Sequence, residues 1–320
     1  MATLDVTASA PAPVPATVTP KAPRRERAPG SRLRRRNTLI GWTFILPNFI
    51  GFATLTLVPV VILLYLGFTS WNAFGAATFT GTDNFERLVR DTTFHTALKN
   101  TIYFAVMHIP LTLGASLGLA LLLNRKMRGM AFFRTVAFFP YITSIVAIAV
   151  VWNMLFSPEA GVINQMLMAI GIDDPPGWTT STTWAMPAIV IVATWRDMGY
   201  YMLLFLAGLQ AIPSELYEAA RVDGASAVQR FRNVTLPSLR PTTFFVTVML
   251  TIASFKIFDL ILVMTNGGPG TSTLVLSQYI YRKGFVENDF GYASAIAVVL
   301  FVICLGVTVL QFLANKRRDA

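Results

Sequence analysis

Six long apolar runs dominate the chain, at about residues 39–69, 100–123, 135–156, 184–210, 242–265 and 290–314. A helix needs about 20 residues to cross the ~30 Å hydrocarbon layer of a bilayer, and every run is long enough. Lipid offers no water to backbone N–H and C=O groups, so only helices or closed barrels cross it. The sequence holds no succession of ten-residue segments of alternating polarity, which predicts an all-α membrane protein with six transmembrane helices. Pro47 and Pro59 in the first run predict a kink or a tilted entry.

Charge agrees with that reading. Only 13% of the 320 residues are charged and 54% are hydrophobic, whereas a soluble domain carries about 25% charge. A net charge of +10 suggests nucleic acid in a soluble protein, but these cations flank apolar runs, where they act on topology and lipid. The single cysteine, Cys304, lies inside the last run, which excludes an intrachain disulfide or a cysteine metal cluster. Residues 1–37 read as a disordered, basic cytoplasmic tail: its first part is rich in Pro, Ala and Thr, and Arg32, Arg34, Arg35 and Arg36 stand directly before the first run. The run that follows is too long, and lacks the small-residue site, for a cleaved signal peptide. Residues 38–315 form the expected six-helix domain and 316–320 a cytoplasmic C-terminus.

Lys and Arg also set the orientation. The two ends, the 124–134 connection and the connection after the fourth run hold 19 of them; the other side holds only Arg87, Arg90, Lys99, Arg282 and Lys283. The side rich in positive charge faces the cytoplasm, so both termini and the long polar connection at 213–241 are expected inside.

That connection, with ELYEAARVDGASAVQRFRNVTLPSLRP at its heart, is a charged island between two apolar runs. Ser214 is placed to cap a short helix with Glu215 and Glu218 in its first turn, Pro213 precedes it, and Gly224 is its stop. A second helical piece is expected from Ser226 through Phe231, with Leu236-Pro237 and Pro241 preventing continuation.

Glu218-Ala219-Ala220, Asp223-Gly224-Ala225 and Leu236-Pro237 at this spacing resemble the EAA loop of the membrane-spanning permease subunits of bacterial ABC importers, in the branch that carries sugars. TGTDNFERL with FHTALKNT, LLNRKMRGMAFFRTVAFFP, AGLQAIPSELYEAARVDGA and FDLILVMTNGGPG followed by GYASA extend the similarity along most of the chain from residue 39. The resemblance implies a coupling helix between the fourth and fifth spans that docks on a separate ATPase, with Glu218, Ala219, Ala220, Arg221, Asp223 and Gly224 at the contact. Small Ala219 and Ala220 permit close approach, Glu218 and Arg221 supply charge, and Gly224 permits a sharp change of direction. It further implies a second related permease, two cytoplasmic ATP-binding subunits, an external solute-binding protein and residence in the bacterial inner membrane. No cofactor is expected on this chain, ATP and Mg²⁺ being used by the partner ATPase. Gly267-Gly268-Pro269-Gly270 lacks the Lys-Ser/Thr ending of a phosphate loop and reads as a turn.

Ionisable groups at bilayer depth are costly and face a cavity or one another. Arg196 and Asp197 fall in the fourth run, and Lys256 and Asp259, three apart on one expected helix face, in the fifth. Pairing of Arg196 with Asp259, or Asp197 with Lys256, is equally open. With Tyr200, Ser254 and Phe258 they form the candidate substrate path, a mixture of aromatic and hydrogen-bonding groups suited to carbohydrate; a structural ion-pair network is the competing reading. His95 and His108 have no ligand-spaced companion and are assigned no role, and Asp173-Asp174 reads as a solvated turn. The alternatives are a permease for glycerol 3-phosphate or a related polyol phosphate, which Arg196 and Lys256 would suit, and a secondary transporter working without an ATPase. A membrane-bound transferase would need an acidic metal motif in the cytoplasmic connections, and the sequence has none there.

Overall fold

In the computed structural model, residues 31–125 and 128–319 are described; most of the expected tail, residues 1–30, lies outside the described residues. The chain divides into two compact units, Met1–Val58 and Pro59–Ala320. In the first, helix α1 (Ser31–Phe52) runs through Pro47 into a π-type turn, Ala53–Leu57, directly ahead of Pro59. Large apolar side chains such as Phe44 and Leu55 stand exposed along it, as a lipid-facing helix requires.

In chain order there follow α2 (Val58–Leu66), β1 (Thr69–Ser70), β2 (Thr78–Phe79), α3 (Asp83–Arg90), α4 (Thr92–Leu123), α5 (Met130–Ile142), α6 (Ile145–Leu155), α7 (Val162–Ala169), α8 (Ala185–Gln210), α9 (Ser214–Val222), α10 (Ala227–Arg230), α11 (Leu236–Ser238), α12 (Arg240–Phe255), α13 (Asp259–Met264), α14 (Leu276–Tyr281) and α15 (Phe290–Asp319). Ile40–Leu66, Thr92–Leu123, Ala185–Gln210 and Phe290–Lys316 are long and apolar enough to cross a membrane; α5 with α6 and α10–α11 with α12 make two further spans if each bent pair counts as one. The molecule is thus a helical membrane protein with four to six candidate spans among the described residues. One small departure from an all-helical chain is the antiparallel hairpin of β1 and β2, with Thr69 opposite Phe79.

Helix α8 is the axis of the second unit. Ala188, Ile189, Val192 and Met202 are fully buried, and glycines bring its neighbours close. A Cβ on Gly199 would stand 1.9 Å from the carbonyl oxygen of Ala137 in α5, and one on Gly208 would stand 2.5 Å from Oγ1 of Thr242 in α12. Two apolar cores follow from this. Phe104, Ile148, Phe156, Ile189 and Leu260 join α4, α6, α8 and α13; Ala120, Met202, Phe205, Leu209 and Leu250 join α4, α8 and α12.

Two expected spans are broken. The third bends by 96° between α5 and α6. Thr143 there is extended, and its hydroxyl donates to the carbonyl of Phe139 at 2.9 Å, replacing the helical N–H bond to that acceptor. The fifth does not run to residue 265: α12 ends at Phe255, Lys256 to Phe258 leave the helix, and α13 starts afresh at Asp259. The expected sharing of a helix face by Lys256 and Asp259 is therefore corrected, because the helix ends between them.

Candidate functional site

At that break lies a cavity of about 170 Å³. Its wall takes Phe104 and His108 from α4, Arg196 and Asp197 from α8, Ser254 from α12, and Lys256, Phe258 and Asp259 from the unwound segment and the start of α13. A broken helix at this depth is tolerable because its freed backbone groups line a cavity or find side chains: the Ser277 hydroxyl donates to the carbonyl of Ile257. Six of the seven predicted path residues converge here. Tyr200 does not; it stacks on Tyr141 with ring centroids 4.4 Å apart, between α8 and α5.

The ion pairs differ from both open alternatives. Arg196 Nη1 reaches its own neighbour, Asp197 Oδ1, at 2.8 Å, and its guanidinium lies 5.2 Å from the centre of the Tyr141 ring. Neither Lys256 nor Asp259 makes an ion pair among the described residues. The cavity carries two cations and two carboxylates, so its wall is balanced in charge.

His108, given no role from sequence, stands at the centre of this arrangement. It is 2% exposed. Its ring stacks on Phe104 at 5.0 Å, Nδ1 lies 3.0 Å from Ser254 Oγ, and Nε2 lies 3.6 Å from Asp197 Oδ2. The signal that could have found it was its depth in an apolar run, the same rule that singled out Arg196.

The polar island is a separate surface. Helix α9 starts at Ser214 with Pro213 as its boundary and no side-chain cap, so Ser214 is its first residue rather than the expected cap. The end behaves as expected: Gly224 has φ +75° with open space around it, and the N–H groups of Gly224 and Ala225 return to the carbonyls of Arg221 and Ala220 at 3.0 and 2.9 Å. Glycine is required by backbone conformation there, not by crowding. Ser226 and Gln229 cap α10 reciprocally. A π-type turn, Phe231–Thr235, then carries the chain through Pro237; the bend, of 64°, falls after Ser238. Pro237 does not stop the chain because it sits in the first turn of α11, where no N–H is needed. Tyr217 and Thr235 hydroxyls, 3.0 Å apart, tie α9 to that turn. Glu218, Ala219, Arg221, Asp223 and Gly224 are exposed, Ala220 half-buried, and Leu216, Val222 and Val228 add exposed apolar surface beside them.

A multi-span helical bundle with a polar cavity between helices and an exposed helical elbow defines a membrane transport component. Residues 110–320 match the family model described as binding-protein-dependent transport system inner membrane component. The chain is 38% identical over 293 residues to the lactose transport system permease protein LacF of Rhizobium radiobacter, covering 90% of this chain and 98% of that one. It is 34% identical over 284 residues to the sn-glycerol-3-phosphate transport system permease protein UgpA of Agrobacterium fabrum, covering 88% and 96%. A chain of a crystallised bacterial ABC transporter involved in the import of the acidic polysaccharide alginate superposes with a TM-score of 0.77 at 26% identity, covering 90% of this chain and 99% of that one. This chain belongs to the family of inner membrane components of binding-protein-dependent transport systems, the permease subunits of ABC transporters. It is a multi-pass membrane protein, and ATP hydrolysis resides in a separate subunit.

Proposed function

We propose that the chain forms one half of the translocation path of an importer for a neutral sugar or oligosaccharide. The observation that carries this reading is the cavity at the α12–α13 break, where Arg196, Asp197, Lys256 and Asp259 balance in charge beside Phe104, Phe258 and Ser254. Charge balance disfavours an anion such as a sugar phosphate. The half-buried Phe258 ring can stack on the C–H surface of a pyranose, and the carboxylates can meet its hydroxyls. At about 170 Å³ the cavity is smaller than the ~300–1,000 Å³ of a typical ligand site, which supports a paired permease supplying the remaining wall.

In this reading both bent pairs are single spans, giving six, with both termini and α9 in the cytoplasm. Glu218, Ala219, Ala220, Arg221, Asp223 and Gly224 contact one of two ATP-binding subunits, and an external solute-binding protein delivers the sugar to the opposite face. Closure of the ATPases moves α9, and the packed spans pass that movement to the cavity as rigid bodies. Within one polypeptide, residues 1–37 serve as a basic tail against anionic lipid, 38–315 as the transport domain, and 316–320 as the cytoplasmic end.

The test is ATP-dependent uptake by the complete transporter in proteoliposomes, comparing neutral sugars with glycerol 3-phosphate. Uptake of a neutral sugar, strongly reduced by Asp259→Asn, is expected. Preferential uptake of glycerol 3-phosphate would favour the phosphate reading, and uptake without an ATPase subunit would refute the coupling.

A further inference from the structure

We propose that His108 and Asp197 together hold one hydroxyl group of the transported carbohydrate, with His108 Nε2–H as donor and Asp197 Oδ2 as acceptor. The inference rests on the sugar reading above and assigns a specificity-determining role to a residue outside the predicted path.

Three observations carry it. First, Nε2 and Oδ2 are 3.6 Å apart, wider than a hydrogen bond of about 2.7–3.2 Å. A carboxylate and an imidazole paired only to hold helices together would be expected to close that gap. Second, although the carbonyl of Ala193 faces the same imidazole, Nε2 is buried and meets no acceptor with hydrogen-bond geometry. A buried donor left unsatisfied is destabilising, so a partner from the cavity is called for. Third, the ring is fixed on two sides, by Phe104 and by Ser254 Oγ at 3.0 Å from Nδ1. With the Ser254 hydroxyl donating to Nδ1, the ring proton sits on Nε2, which is also the tautomer the facing carboxylate favours.

A hydroxyl oxygen admitted between the two atoms would accept from His108 while donating to Asp197. A sugar hydroxyl can do both at once. An oxygen of a dianionic phosphate has no proton to give and would face the Asp197 carboxylate across a short distance. The pair therefore selects for a hydroxyl over a phosphate oxygen at this position.

The experiment uses the complete transporter in proteoliposomes, with tritiated glucose, xylose, lactose, maltose and cellobiose as probes; the sugar carried best is compared with its monodeoxy derivatives. In the wild type, one deoxy derivative should show kcat/KM lower by about tenfold or more. His108→Asn retains an amide at the Nδ1 position for Ser254 and has nothing at Nε2. It should carry the parent sugar about tenfold less efficiently, chiefly through KM, and show no further loss with that derivative. His108→Gln restores an amide near Nε2 and should restore the discrimination. Retention of the full wild-type discrimination by His108→Asn overturns the proposal. If neither variant assembles, Asp197→Asn takes their place: loss of discrimination at the same hydroxyl supports the pair, and its retention overturns it. A wild-type transporter that carries none of the five sugars overturns the sugar reading and this inference with it. Failure of the inference alone is distinguishable, because sugar uptake then persists.

Discussion

Asp91 shows how much one carboxylate can organise. Its Oδ1 accepts from the N–H groups of Thr93 and Phe94 at 2.9 and 3.2 Å, capping α4. Oδ2 accepts from the hydroxyls of Tyr279 and Tyr292 at 2.5 and 2.6 Å. The starts of α4 and α15 and the body of α14 are thereby pinned to one residue. Burial pushes the carboxyl up, but the hydrogen bonds from Tyr279, Tyr292, Phe94 and Thr93 outweigh it and leave its pKa below the ordinary 3.8. The same bond, added to burial, raises the Tyr279 phenol. A carboxylate with a depressed folded pKa stabilises the fold fully at neutral pH, and this contribution is lost as pH falls through the folded value, below 3.8. Asp91→Ala should destabilise the protein by about 2 kcal/mol or more, through the lost cap and two stranded hydroxyls. Thermal unfolding in detergent should show that difference at pH 7 and a smaller one near pH 3. Asp91 was assigned no role from the sequence; its two tyrosine donors lie 188 and 201 positions away, and only the fold brings them to it.

Glycines act on elements in two distinct ways. At Gly199, α8 meets the backbone of α5, and an added methyl would fall 1.9 Å from the Ala137 carbonyl oxygen. Backbone cannot step aside as a side chain does, so Gly199→Ala should force α5 off α8, lowering stability by about 1–3 kcal/mol and reducing the yield of assembled complex on size exclusion. At Gly224 the surrounding space is open and the φ of +75° is the constraint. Gly224→Ala should lower stability by about 1 kcal/mol with the complex intact, and Gly224→Asp should assemble yet lose most ATP-driven uptake, because it changes the elbow that we propose meets the ATPase. Normal uptake by Gly224→Asp would refute the coupling role. The short helix that opens at Ser214–Glu215 and its stop at Gly224 could be seen in advance because both rest on local residue chemistry. The break of the fifth span could not: nothing between Phe255 and Asp259 is a proline or glycine, and the Ser277 hydroxyl that takes up the Ile257 carbonyl comes from beyond α13.

For the molecule as a whole, orientation is the claim on which every functional assignment depends. With Cys304, the one cysteine, replaced by serine, Ala219→Cys should react with a membrane-impermeant maleimide in inside-out vesicles and not in intact right-side-out ones. Labelling from the outer face would place the elbow out of reach of ATP. The membrane class, the apolar runs, their connecting charges and the elbow motif were legible in the sequence because each is a one-dimensional signal: length of apolar chain against bilayer thickness, the side on which Lys and Arg gather, a stop glycine after a short helix. The pairing of charges was not. Arg196 turned to its neighbour Asp197, Lys256 and Asp259 were parted by a broken helix, Tyr200 was drawn into a stack with Tyr141, and His108 was carried from α4 into the polar wall of α8 and α12. The sequence by itself determined that polar groups must be buried within the membrane and that they must gather somewhere. Which groups meet was decided by tertiary packing alone, since a few ångströms of helix rotation exchange one partner for another at almost no local cost.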